Sequence, residues 1–166
     1  MTSADYLRFP HIHRDLLTFV AEDDVWLAPV SGGRAWRLSA DDAKVASPRL
    51  SRDGTQVAWS GRKDGASEVY LASTDGGGSR RLTYWGDPAT KVCGWSPAGE
   101  VLAVTAWGQP FEHLPWAHVI SADAARPGSR QLPFGTASDI AMEHAATIQS
   151  LRRLAVCAPG TSAATQ

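Results

Sequence analysis

Apolar and polar residues alternate in short runs across residues 48–83, and glycine-containing turns separate these runs. The runs at 56–60 and 68–72 are rich in β-branched and aromatic residues, which favour strands. Gly54 and Gly76 each follow an aspartate, and glycine readily adopts the positive φ of a tight hairpin turn. The stretch therefore predicts a four-stranded antiparallel meander. Both faces of such a sheet need neighbours.

The same pattern recurs along the chain with a period in the mid-forties. Gly54 and Gly99 occupy equivalent turns 45 residues apart. The third strand of the meander, EVYLAS at 68–73, has an earlier copy in DVWLAP at 24–29 and a weaker later copy in WAHVIS at 116–121. A four-stranded unit repeated at this spacing is typical of the blades of a β-propeller.

These repeats predict an all-β fold made of three four-stranded antiparallel propeller blades in an incomplete ring, followed by a short C-terminal tail that is not a blade. A disordered N-terminus is expected at 1–5. The partial propeller is expected at 6–135, with blades spanning about 6–43, 44–89 and 90–135.

The tail at 136–166 lacks the glycine turn that opens the other repeats. Ile140, Ala141, Ile148 and Leu154 lie at roughly helical spacing. Two interpretations stay open: a short helix followed by disorder, or a sequence unrelated to the fold, such as an altered reading frame.

Composition argues against several functional classes. The 166 residues carry a formal net charge of −1 with 20% charged residues, so no attraction to nucleic acid or to an anionic membrane is expected. Cys93 and Cys157 lie in dissimilar contexts and do not indicate a disulfide framework. No apolar run approaches the roughly 20 residues of a membrane span, and the N-terminus lacks a secretory signal pattern. We expect a cytoplasmic protein without a cofactor, a nucleic-acid partner or a membrane partner.

Three segments carry a family resemblance: YLRFPHIHRDLLTFVAEDDVWLAPVSGGRAWRL, PRLSRDGTQVAWSGRKDG and RRLTYWGD. Together they resemble the N-terminal propeller of the tricorn protease family, particularly its actinobacterial homologues, over about 6–135. The resemblance implies a cytoplasmic, self-compartmentalising serine protease that trims oligopeptides. In that family a six-bladed propeller precedes a seven-bladed one, a PDZ domain and catalytic domains that supply Ser, His and Glu. The propellers are expected to filter and channel peptides.

The chain departs from this pattern because it holds three of the six blades and none of the later domains. No catalytic residue of the family has a matching position here. The first hypothesis is a partial gating propeller, inactive alone, that associates with the rest of such a protease. The second is a stand-alone propeller module that binds peptides or proteins, and the third is an independent hydrolase. Three blades leave two open faces, which suggests self-association of two copies into a six-bladed ring.

Two motifs resemble known functional sites, one catalytic and one metal-binding. The sequence GWSPA around Ser96 resembles a nucleophile elbow, but Ser96 aligns with Ser51 and is predicted to be a turn residue before a hairpin. His11 and His13 point to one side of a strand, as two metal ligands would. No third His or Cys has supporting spacing, so we predict a hydrogen-bonding or surface role.

Two further motifs are assigned to turns and surface charge. The glycines at 76–78 are not followed by lysine and precede a predicted strand, so a turn is favoured over a phosphate loop. The arginines of the two fourth strands are interpreted as solvated charge, with a peptide-carboxylate contact as the alternative. They are Arg34, Arg37, Arg80 and Arg81. The sequence therefore predicts no catalytic, substrate-binding or metal-ligating residue.

Overall fold

The computed structural model describes residues 6–40, 43–63, 65–109 and 114–142, and the backbone of 154–157. This part of the chain is all-β. It contains three four-stranded antiparallel sheets and one two-stranded sheet, and no helix. None of these residues belongs to a helix long and apolar enough to cross a membrane.

Each four-stranded sheet is built from four consecutive strands. The first sheet contains β1 (Arg8–His13), β2 (Leu16–Ala21), β3 (Asp24–Pro29) and β4 (Trp36–Arg37). The second contains β5 (Lys44–Leu50), β6 (Gln56–Lys63), β7 (Ala66–Ser73) and β8 (Arg80–Arg81). The third contains β9 (Lys91–Trp95), β10 (Val101–Thr105), β11 (Trp116–Ile120) and β12 (Ser129–Thr136). The predicted meanders are confirmed, because strand order in each sheet follows the chain.

Strand alternation buries both faces of the second sheet. On β6, Val57 and Trp59 point into a core cluster shared with Val25 and Leu27 of the first sheet. Ala58, between them, points the other way into a cluster shared with the third sheet. Each large apolar side chain buried in this way contributes about 1.5–3 kcal/mol. The sheets therefore stack face to face, each covering its neighbour.

The first strands of successive sheets lie beside one another. Strand β1 contacts β5, and β5 contacts β9. These contacts place the first strand of every sheet on one side of the stack, as in a propeller whose first strands line the axis.

The tail continues the same arrangement where it is described. Strand β13 (Asp139–Met142) pairs with β14 (Leu154–Cys157) and lies against β9. Ile140 is buried in a third core cluster beside Leu102 and Val119. The short helix, one of the two interpretations left open for the tail, is therefore wrong at 139–142 and 154–157, which are strands, and the open face of the third sheet buries Ile140 in extended form. Residues 143–153 lie outside the described residues, as do the segments predicted to be disordered, 1–5 and 158–166.

A buried carboxylate joins the third and fourth strands of the second sheet to the following linker. Glu68 is 2% exposed and accepts hydrogen bonds from Thr83 Oγ1 (2.5 Å), Trp85 N (3.0 Å) and Gly86 N (2.8 Å). Arg81 Nη2 lies 2.9 Å from Glu68 Oε1. The carboxylate therefore satisfies four donors that would otherwise lack this acceptor.

The first sheet repeats this arrangement in a more exposed form, and the third lacks it. Asp24 accepts a hydrogen bond from Ser39 Oγ at 2.9 Å and pairs with Arg37 at 3.3 Å. Trp116 and Pro133 stand at the corresponding positions of the third sheet. The three blades thus share a backbone pattern and differ in their polar connections.

Gly61 of β6 tests how tightly the second sheet is packed. A Cβ at this position would lie 2.8 Å from two ring carbons of Tyr70, whereas a Cβ at Gly94 of β9 would have no neighbour within 4 Å. We expect Gly61→Ala to lower the free energy of unfolding by about 2 kcal/mol, the scale of overpacking. Gly94→Ala is the matched control and should change it little. Urea unfolding measures both, and equal effects would contradict this packing argument.

Candidate functional site

A concave cavity of about 210 Å³ lies where the first strands of the three sheets end, and we call it the axial cavity. Four of its lining side chains are basic or imidazole groups, and none of its described lining residues is Asp or Glu. These four are His11, His13, Arg49 and Arg52. The elements that position them are β1, β5 and the turn after β5.

His11 and His13 both line the axial cavity, on one side of β1 as predicted. His11 Nδ1 accepts a hydrogen bond from Leu50 N at 3.2 Å, which places the proton of the neutral ring on Nε2. Burial, Arg49 and His13 lower the pKa of His11 to about 4. His13 Nε2 is buried and has no hydrogen-bond partner within the described part of the chain. Within the described residues, no group of three or more His, Cys, Asp or Glu side chains could hold a metal ion. That the protein binds no metal stays a prediction.

Arg49 connects the second and third sheets. Its Nε donates to Cys93 O at 3.1 Å and its Nη1 to Pro48 O at 3.0 Å. Trp95 Nε1 donates back to Arg49 O at 2.9 Å. Both acceptors of the guanidinium are neutral carbonyls, so these bonds hold the group in place without neutralising its charge.

Ser96 occupies a hairpin turn that matches the turn at Ser51. Its hydroxyl accepts from Glu100 N (3.1 Å), its N–H donates to Glu100 O (2.8 Å), and Gly99 N donates to Ser96 O (3.0 Å). Ser51 makes the same set with Gln56 and Gly54, at 2.9, 2.8 and 3.0 Å. Gly54 and Gly99 have φ of 78° and 79°, which glycine adopts without strain. Among the described contacts, no imidazole bonds the Ser96 hydroxyl.

The other two sequence motifs also lie in structural positions. The glycines at 76–78 form the turn between β7 and β8, and each has a positive φ. Of the four arginines predicted to be solvated charge, Arg34 and Arg37 are exposed, whereas Arg80 and Arg81 are only partly exposed. Arg81 pairs with buried Glu68 and lies 4.2 Å from the Tyr84 ring centroid, and Arg80 Nη2 donates to Ala122 O at 2.6 Å. Arg37 pairs with Asp24, while Arg34 is exposed.

A partly buried aromatic cluster around His118 was not predicted from the sequence. Trp85 stacks on Trp107 with ring centroids 6.0 Å apart and packs against His118 at 5.1 Å. His118 is buried, neither ring nitrogen has a partner in the described part of the chain, and burial lowers its pKa. The repeat could have predicted a ring side chain at this position, because strand register aligns His118 with Trp26 and Tyr70 of the other two sheets.

Three four-stranded meanders with their first strands side by side define a β-propeller domain. The chain belongs to the family described as the tricorn protease N-terminal beta propeller domain, which it matches over residues 4–156. The matched range extends beyond the third sheet and through most of β14.

Relatives and a solved structure agree with this assignment. Tricorn protease homolog 1 of Streptomyces coelicolor is 50% identical over 136 residues, which are 82% of this chain and 13% of that protein. A protein of Sulfurisphaera tokodaii named as a tricorn-like protease N-terminal subunit is 28% identical over 141 residues, 82% of this chain and 70% of its own. The crystal structure of the tricorn protease matches with a TM-score of 0.72 at 22% identity, covering 84% of this chain and 14% of that one. The chain thus spans a small part of the full-length proteases.

Proposed function

We propose that this chain is part of the gating or channel propeller of a tricorn-like, cytoplasmic serine peptidase that degrades oligopeptides. It acts with the rest of that protease, which supplies the catalytic groups, and is inactive alone. The observation that carries the proposal is the family match over 4–156, together with 50% identity to a Streptomyces tricorn protease homolog. The name of the Sulfurisphaera relative supports a propeller part carried on a separate chain.

The open face of the first sheet supports association with further blades. Ile12 of β1 and Leu17 of β2 are paired across the two strands. Leu16 and Val20 of β2 belong to the core shared with the second sheet. Side chains alternate along a strand, so Leu17 and its partner Ile12 face away from the second sheet. Ile12 is 60% exposed. Exposed apolar sheet faces mark interaction surfaces, and a closed ring covers them with the next blade.

A second candidate function is a stand-alone propeller module that binds peptides or proteins. The observation that favours it is the axial cavity, which belongs to this chain alone and is lined by basic groups. Affinity purification of the tagged chain from its own cells separates the two functions. Recovery of a larger tricorn-like protease supports the first, whereas recovery of peptides without a protease supports the second. A dimeric mass by light scattering, with neither partner, would instead indicate self-association of two copies.

Ser96→Ala tests the claim that the chain is inactive alone. We expect no turnover of short chromogenic peptides by the chain or by this variant. The variant should lose about 1 kcal/mol of stability, because the hydroxyl no longer accepts a hydrogen bond from Glu100 N or donates one to Glu100 Oε2. Ser51→Ala, which removes the equivalent bond from Gln56 N, is the matched control. Peptidase activity that Ser96→Ala abolishes and Ser51→Ala retains would contradict the proposal.

A further inference from the structure

We propose that His118 is a pH-sensitive switch: its protonation displaces the stacked rings of Trp85 and Trp107 and loosens the linker between the second and third sheets. This linker spans residues 82–90, between β8 and β9. The inference goes beyond the proposed function, because it concerns this chain alone and needs neither a peptide nor the rest of a protease. Three observations support it: the burial of the imidazole, the lack of a counter-ion among the described side chains around it, and the position of the two rings outside the strands.

The site of His118 disfavours the charged form of the ring. The side chain is buried, Trp85 packs on it with ring centroids 5.1 Å apart, and neither ring nitrogen has a partner in the described residues. Protonation would bring a charge and a second N–H donor into this site. Attraction of the cation to the Trp85 ring offsets only part of that cost. Burial accordingly lowers the pKa of His118.

The third sheet itself offers His118 no counter-ion. Strand register pairs His118 with Ala103, which belongs to the core shared with the second sheet. The titratable thiol of Cys93 lies in the cluster on the opposite face. The other charged residues on the strands of this sheet form ion pairs elsewhere, Lys91 with Asp139 and Arg130 with Glu100.

The charged groups that approach from other elements also have partners already. Arg80 of β8 donates to Ala122 O, Asp87 of the linker accepts from Thr105 Oγ1, and Glu68 of β7, which accepts from Trp85 N, pairs with Arg81. None of these groups bonds His118. Glu112 and His113, between β10 and β11, lie outside the described residues. Among the described side chains, protonated His118 therefore has no counter-ion, and it becomes hydrated only if the aromatic rings move.

The two stacked rings belong to segments between strands. Trp85 lies in the linker, Trp107 follows β10, and their ring centroids are 6.0 Å apart. Trp107 is half-exposed, so it can turn outward at a smaller loss of buried area than a core side chain. Movement of the two rings admits water to His118 without breaking a strand pair of either sheet. Trp85 N donates to Glu68, so displacement of Trp85 also loosens the linker.

Urea unfolding of the full chain at about pH 7 and about pH 5.5 tests the proposal with His118→Phe. Trp26 and Tyr70 stand at the equivalent positions of the other sheets, so an uncharged ring suits this position. A His whose folded-state pKa lies below its ordinary value of 6.5 stabilises the fold above that value, and this stabilisation is lost as the pH falls toward the folded-state pKa. On acidification, the unfolding equilibrium constant of the wild type should therefore rise about five- to tenfold relative to that of His118→Phe. His11, whose pKa is also lowered, is present in both proteins and cancels in the comparison.

Acrylamide quenching of tryptophan fluorescence tests the displacement of the rings. Between the same two pH values, quenching of the wild type should increase while the far-UV circular dichroism stays unchanged. Trp107→Phe should reduce the increase, and Trp36→Phe, which removes an exposed tryptophan of the first sheet, should retain it. The proposal is overturned by equal pH dependence of unfolding in His118→Phe and wild type, by unchanged quenching, or by loss of the sheet signal together with the increase. Quenching is measured on the wild type, so it decides the question even if His118→Phe does not fold.

Discussion

Glu68→Ala is expected to lower the free energy of unfolding by about 3 kcal/mol, because it removes a buried acceptor and leaves its donors unpaired. Two of these donors, the N–H groups of Trp85 and Gly86, are fixed by the backbone. A third, the Thr83 hydroxyl, also accepts a hydrogen bond from Val69 N at 2.9 Å, so the variant disturbs the contact between β7 and the segment after β8. Urea unfolding followed by circular dichroism measures the loss.

Asp24→Ala is the matched control, because Asp24 occupies the same place in the first sheet. The side chain of Asp24 is more exposed than that of Glu68, so water can replace part of the hydrogen bonding that the substitution removes. The expected cost is therefore only about 1 kcal/mol. Glu68→Gln separates charge from shape, since an amide retains one acceptor oxygen. Equal losses in Glu68→Ala and Asp24→Ala would contradict the importance of burial.

Glu68 also predicts a pH dependence of stability. Burial raises its pKa, but hydrogen bonds from Thr83, Gly86, Trp85 and Arg81 outweigh burial and hold the pKa below its ordinary value of 4.5. A carboxylate with a depressed pKa in the folded state stabilises the fold above its unfolded-state pKa. This stabilisation is lost as the pH falls through the folded-state pKa. The wild type should therefore lose more stability than Glu68→Gln as the pH is lowered below about 4.5.

Trp59→Ala is expected to cost about 3–5 kcal/mol, the range for removing a large aromatic side chain from a core. Trp59 is 1% exposed in the cluster between the first and second sheets. Its ring stacks beside Tyr70 with centroids 6.2 Å apart. The substitution leaves a void between two blades that the backbone hydrogen bonds of β6 prevent from closing. Chemical denaturation and the melting temperature both report the change.

Trp107→Ala removes the same side chain from a position that is 47% exposed. It loses a stack on Trp85 and only about half of the burial that Trp59 has, so the expected cost is smaller, about 1–2 kcal/mol. The comparison controls for residue type. A loss in Trp107→Ala as large as that in Trp59→Ala would show that the aromatic cluster near His118, rather than the core between sheets, dominates stability.

Local signals accounted for the blades but not for the site. The turns at Gly54 and Gly99 were predictable, because positive φ and the alternation of the flanking strands are properties of short segments. The axial cavity was not, since His11 and Arg49 are distant in sequence and meet only when β1 lies against β5.

The sequence by itself determined the strands, their turns and their repetition, because period-two burial and glycine turns act over a few residues. Only the tertiary structure decided which residues are buried together. Glu68 finds its partners 13 to 18 positions away, and Ile140 becomes a strand residue because the open face of the third sheet covers it. Packing of one sheet against the next is non-local, and no pattern within a single blade specifies it.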